Sequence, residues 1–274
     1  MPVYVSIDAF LIDCGRRGLA RRTVQAYAER LHLLDTARNG REWSDLGRDD
    51  IEKWLDRHAS CSQTRASYRS TACTFYDWMI SRGTCDENPA RQTVRPRVKR
   101  GQPRPIRTDD LARALRAADP RMRTILCLGA YAGLRAAEIA ALRVDDIDLR
   151  AEMLYVRHGK GDKPRQVPIH AELAAALEDL PMPVRGPVVT TNRHTGFSGG
   201  RTITQAVAQY LRGLGINCTA HQLRHWFGTR IVEQADIQTA AHLLGHASVV
   251  TTQVYARWPE QRGRAAIEHL PPAA

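Results

Sequence analysis

The stretch from Asn88 to Arg107 constrains this chain more than any other. It holds Pro89, Pro96, Pro103 and Pro105 together with Arg91, Arg95, Arg97, Lys99, Arg100 and Arg104, and no carboxylate. Proline fixes φ and lacks an amide donor, so closely spaced prolines keep a segment extended, and the crowded positive charge keeps it in water. A chain of 274 residues interrupted in this way is expected to form two units. These are residues 1–87, a basic linker over residues 88–105, and residues 106–274. The linker offers more than spacing. An extended basic chain can track a phosphate backbone, because each neutralised phosphate releases counterions. Arg95, Arg97, Lys99 and Arg100 are its candidate DNA contacts.

The first unit reads as all-helical, with no strand pattern. Helical spacing predicts a helix over Ser6–Arg17 ending at Gly18, and a second opening near Thr23 with Val24, Tyr27, Leu31 and Leu34 on one face. Asn39-Gly40 is a turn signal. A third helix starts near Asp49, and a fourth covers Ser62–Ile80 and stops at Gly83. Arg65 and Arg69 lie one turn apart on the fourth helix. They either meet backbone phosphates or simply belong to a solvated face.

The second unit mixes periods. Helices are expected at Thr108 to Pro120, Arg121–Tyr131, Leu134–Leu142, Ala171–Leu180, Thr202–Leu214, His221–Gln234, Asp236–Leu244 and Ser248–Tyr255. A short final helix after Pro259 carries Ala266, Ile267 and Leu270. Asp145–Asp148, Met153–Arg157 and Arg165–Ile169 are strand candidates, and Gly159-Lys160-Gly161-Asp162 reads as the turn of a hairpin between the last two. The fold class is therefore mainly α with a small antiparallel β-sheet.

The formal net charge of +11 points to a polyanionic partner, most often nucleic acid. The six cysteines include no C-x-x-C pair, and Cys73 and Cys127 read as small core residues. No signal peptide or membrane span is legible, so the expected compartment is the cytoplasm, in association with the nucleoid.

Chemistry concentrates between His221 and Tyr255. His221 and Arg224, three apart on a helix, point the same way. Arginine grips phosphate oxygens with a planar fork, histidine moves protons near neutral pH, and Tyr255 follows as a nucleophile candidate. His246 completes that stretch. Upstream, Arg135 stands in apolar sequence and needs a carboxylate or an anion. Glu138, three residues on, either forms a structural pair with it or orients it toward a phosphate. Lys160 stands between glycines at the hairpin tip, where it could reach across a cleft.

The order and spacing of Arg135, Lys160, His221-Gln-Leu-Arg224, Leu244-Gly-His246 and Tyr255 resemble the tyrosine recombinases, the phage integrase family. The words Tyr131-Ala-Gly-Leu-Arg135-Ala-Ala-Glu138-Ile and Gly159-Lys-Gly-Asp-Lys-Pro-Arg-Gln-Val-Pro168 resemble it too. The resemblance covers the whole chain and is specific from Ile106 onward. It implies a helical core-type DNA-binding domain, then a mixed α/β catalytic domain, clamped around the duplex. It implies that Tyr255 attacks a DNA phosphate to form a 3′-phosphotyrosyl link. Arg135 and Arg224 would then hold the non-bridging oxygens, Lys160 would protonate the leaving 5′-oxygen, and His221 would assist proton transfer. His246 would hydrogen-bond the phosphate and Glu138 would support the arginines. It implies no cofactor and no metal. Partners would be double-stranded core-type sites and three further copies of the chain in a tetramer, with room for a directionality factor and no role for a membrane. The tail beyond Tyr255 would dock on a neighbouring protomer or on its own domain.

Other readings use the same residues. His221 with His225, and His242 with His246, have the i, i+4 spacing of helical zinc ligands, but neither pair has the Glu of an H-E-x-x-H site. A relaxing topoisomerase would keep the tyrosine chemistry. A silent DNA-binding module would not need all six polar groups. The helical unit begins almost at Met1, so the expected subtype is a simple recombinase without an arm-binding domain. That means a phage or mobile-element integrase, with a Xer-like dimer-resolution enzyme as the alternative.

Overall fold

The computed structural model describes residues 6–98, 104–157, 164–190 and 199–245. The chain divides into two compact units, Met1–Arg100 and Gly101–Ala274.

The first unit contains α1 (Ile7–Arg16), α2 (Arg21–Arg38), α3 (Arg48–His58), α4 (Ser62–Ser81) and α5 (Pro89–Gln92). Ser6 caps α1 by accepting from the Ala9 amide at 3.1 Å. The second helix starts earlier than its sequence suggests. Its cap is Ala20, with no side-chain bond, and Thr23 lies inside. It ends at Asn39 and Gly40, both at positive φ, which is the left-handed turn that Asn and Gly tolerate. The core is aromatic: Phe10 meets Phe75 edge-on at 5.3 Å, and the buried Tyr76 hydroxyl donates to the Trp43 carbonyl at 3.0 Å. This packing satisfies the phenol while burying its ring.

Asn88-Pro89 does not end this unit. Proline suits a first helical turn, where its missing amide costs nothing. Asn88 caps α5 by accepting from the Arg91 amide, and its own amide nitrogen donates to the Cys73 carbonyl at 2.9 Å and to Asp77 at 2.7 Å. Ala90 is fully buried in the first core. Residues 88–93, which prolines and arginines assign to a linker, fold onto α3 and α4.

The second unit contains α6 (Thr108–Ala117), α7 (Pro120–Ala130), α8 (Ala136–Ala141), β1 (Ile147–Asp148), β2 (Met153–Val156), β3 (Arg165–Pro168), α9 (Ala171–Glu178), α10 (Gly200–Gly213), α11 (Ala220–Gln234) and α12 (Ile237–Leu244). Pro120 opens α7 instead of merely ending α6, with Asp119 capping the Met122 amide at 2.7 Å. Buried from Thr124 to Ala130, α7 is the central rod, packed by α9 and α11. The strands form an antiparallel sheet in the order β1-β2-β3, with Leu154 opposite Val167 and Val156 opposite Arg165. The pairing expected of β2 and β3 is present; the turn from Gly159 to Asp162 lies outside the described residues. The first strand is shorter than Asp145–Asp148, because Asp146 accepts from the Arg143 amide at 2.9 Å and winds Val144–Asp146 into a 3-10 turn. Between α7 and α8, Gly133 adopts φ +62°, and a Cβ there would lie 2.4 Å from the Phe227 ring. Only glycine fits this reversal, whose carbonyl accepts from Arg224 of α11. Among the described residues, no helix is long and apolar enough to cross a membrane.

Candidate active site

Glu138 is buried in the first turn of α8 and gathers the site around it. One carboxylate oxygen accepts from the Arg135 amide at 2.8 Å, which ties up a free donor at the start of α8. The Arg135 guanidinium reaches the other oxygen at 2.7 Å. From β3, Arg165 faces the same carboxylate with both terminal nitrogens, at 3.0 and 2.8 Å. From α11, Arg224 stands 3.7 Å away. One carboxylate thus meets three guanidiniums.

The burial of these groups differs. The side chains of Arg165 and Arg224 are 4% and 2% exposed, whereas that of Arg135 is 26% exposed. Arg224 also donates to the Gly133 and Leu244 carbonyls, and Arg165 donates to the Leu243 carbonyl at 2.8 Å. Two arginines from different elements therefore hold the end of α12. That helix finishes at Gly245, at φ +61°, immediately before His246.

Burial alone would raise the Glu138 pKa, but the Arg165 hydrogen bonds and charge, followed by those of Arg135, bring it down to about 2. The carboxylate is ionised, and a positive surplus of two charges remains among these four groups. The part of this charge on Arg135 meets solvent, where an added anion can reach it. A phosphodiester, with one charge in the ground state and more in its transition state, suits that surplus.

His221 lies one turn before Arg224 on α11, and its ring reaches solvent. Its pKa is lowered, first by local desolvation and then by the charges of Arg224 and Arg135. The neutral imidazole that results near neutral pH can take a proton. His225 packs edge-on to it at 4.2 Å between ring centroids, and burial, then His221, lowers its pKa to about 4.

Residues 104–262 match the phage integrase family, and residues 7–83 match the phage integrase N-terminal SAM-like domain. The chain belongs to the phage integrase family. The tyrosine recombinase XerC of Chromohalobacter salexigens is 32% identical to it over 252 residues, which span 85% of this chain and 83% of that one. Among solved structures, a lambda integrase dimer bound to a COC′ core site shares the fold with a TM-score of 0.75 and 20% identity, covering 94% of this chain and 77% of that one. A lambda integrase tetramer bound to a Holliday junction gives 0.73 at 19%, covering 88% and 76%.

In this tyrosine recombinase the structure brings together Arg135, Glu138, His221 and Arg224 of the residues singled out in the sequence. Lys160, His246 and Tyr255 lie outside the described residues, as do Lys99 and Arg100. The first-unit arginines are engaged internally. Arg65 pairs with Glu52 and Asp56, and Arg69 bonds the Thr93 hydroxyl at 2.9 Å and the Arg91 carbonyl at 3.0 Å. Arg95 and Arg97 are exposed. Sequence reading missed Arg165 as a partner of Glu138. The signal was present: strand alternation places Arg165 on the same face as Val167, and an arginine on a buried face needs a counter-ion.

Proposed function

We propose that this recombinase cleaves and rejoins duplex DNA at specific sites through a 3′-phosphotyrosyl link to Tyr255. The observation that carries the proposal is the cluster of three guanidiniums around one buried carboxylate, which leaves positive charge for a phosphate. Arg135 and Arg224 bind the non-bridging oxygens as charge builds on them. The Tyr255 oxygen attacks phosphorus, the bond to the 5′-oxygen breaks, and Lys160 delivers the proton that this oxygen needs. His221 takes the tyrosine proton, and the neutral form favoured by its lowered pKa suits that step. His246 adds a hydrogen bond to the phosphate. The bond energy stays in the phosphotyrosine, so a partner strand's 5′-hydroxyl can reverse the step without ATP.

Exposed Arg95 and Arg97 serve the duplex backbone, and a tetramer on two sites is the working assembly. The likeness to XerC over most of both chains favours a Xer-like resolution enzyme over a mobile-element integrase. The lambda integrase likeness is low in identity and speaks to fold.

Incubating the full chain with a pool of nicked duplexes of randomised sequence, followed by denaturing capture, tests the chemistry. The native protein should retain DNA covalently, and Tyr255→Phe should bind DNA without retaining it. An adduct that persists in Tyr255→Phe rules out the nucleophile. Mapping the captured sequences separates the two roles. A single chromosomal site indicates resolution, and the flanks of a mobile element indicate integration.

A further inference from the structure

Arg165 has a position that the reaction as described does not use. It covers both oxygens of Glu138 while its Nε holds the Leu243 carbonyl at 2.8 Å, at the last turn of α12. A Cβ on Gly245 would sit 3.0 Å from the Arg165 side chain, so the backbone there lies directly against it. Of the guanidinium hydrogen bonds to Glu138, Arg165 makes two and Arg135 one, while Arg224 stands at 3.7 Å.

We propose that Arg165 is a positioning residue for DNA cleavage: it takes the larger share of the Glu138 carboxylate, which limits how strongly that carboxylate draws on Arg135 and Arg224, and it fixes the last turn of α12, from which the chain continues to His246 and Tyr255. The inference rests on the site proposed above. Without Arg165, the buried Glu138 carboxylate would turn to the two remaining guanidiniums and compete with the phosphate for them. The end of α12 would lose one of its two arginine anchors, and a displacement of about 1 Å at a reacting group can cost about 100-fold in rate.

The test uses the full chain and one duplex that the native protein captures covalently from the randomised nicked pool. Binding and the single-turnover rate of adduct formation are measured for Arg165→Met, Arg165→Lys, Glu138→Gln and the double variant Arg165→Met/Glu138→Gln. Arg165→Met should slow adduct formation about 10- to 100-fold, with binding changed less than about 3-fold. Adding Glu138→Gln should then recover about 10-fold, because the competing charge is gone; a loss of packing alone predicts no such recovery. If Arg165→Met does not fold, Arg165→Lys carries the test. Its single ammonium cannot cover both oxygens and the carbonyl, so it should cleave about 10-fold slowly with binding intact. Native-like cleavage by the folded variant overturns the proposal. So does a loss shared equally by binding and rate, or a double variant no faster than Arg165→Met. If the native protein forms no adduct, or Tyr255→Phe still forms one, the site reading itself fails and this inference falls with it.

Discussion

In the first unit, Arg65 stands between two carboxylates, Glu52 and Asp56; in the second, Glu138 stands among three guanidiniums. Both are ion-pair clusters built from neighbouring elements, yet their stoichiometry is opposite. Arg65 has more negative charge around it than it can use. Glu52 even spares an oxygen for the Val94 amide at 2.8 Å, which pins the chain leaving α5. Asp56 is 71% exposed, so water screens that side of the cluster. The Glu138 cluster is buried at its centre, and its four groups carry a positive surplus. A saturated cluster holds elements together, whereas a deficient one also has affinity for a ligand. Arginine count alone does not distinguish the two, but the sign of the local surplus does.

Breaking each cluster at an arginine should give different kinds of damage. The largest effect is expected from Arg135→Ala. Adduct formation on a captured duplex should fall about 100- to 1,000-fold, the cost of losing one donor to a transition-state oxygen. Unfolding by urea should change little, because Arg165 still covers Glu138. Equal loss of stability and rate would place Arg135 with Arg65 as a structural arginine.

Acid should act next most strongly. A carboxyl whose pKa is depressed in the folded state contributes stability that is complete above its ordinary 4.5 and drains away as pH falls through about 2. For Glu138 that contribution is roughly 3 kcal/mol. The stability gap between the native protein and Glu138→Gln should therefore narrow as pH drops from 5 toward 2.5, on the scale of about 1.4 kcal/mol per unit. A gap that stays constant across that range would mean the carboxylate charge does not hold the cluster. The smallest effect is expected from Arg65→Ala, about 1 kcal/mol of lost stability by urea unfolding, further reduced at high salt.

The sequence carries most of this fold but only part of the cluster. Helices announce themselves through local spacing and caps, so α1, α3, α4 and α12 begin within a residue or two of their signals. The short helix α5 stays hidden because its Pro-Ala-Arg-Gln composition is that of the linker beside it, and only tertiary contacts, the Asn88 bonds and the burial of Ala90, show that it packs. Arg135 and Glu138 are legible because helical periodicity puts them one turn apart. Arg165 lies 27 residues beyond Glu138, and no local period links a strand to a helix at that distance. Its two-residue alternation with Val167 says that it is buried but not what it meets. Helix α6 does start at Thr108, but the Thr108 hydroxyl accepts from Trp226 and Arg230 of α11, more than a hundred residues away, which no local pattern shows.

The central claim is that the Glu138 cluster, and not basic charge in general, receives a phosphate. Orthovanadate mimics the transferring phosphoryl group and needs no knowledge of the DNA site. Thermal unfolding of the second unit should be measured with rising orthovanadate at constant ionic strength, for the native protein, Arg65→Ala, Arg135→Ala and Arg224→Lys. If the cluster receives the phosphate, orthovanadate raises the midpoint for the native protein and for Arg65→Ala alike, and the rise disappears in Arg135→Ala and Arg224→Lys. Equal rises in all four proteins would contradict it.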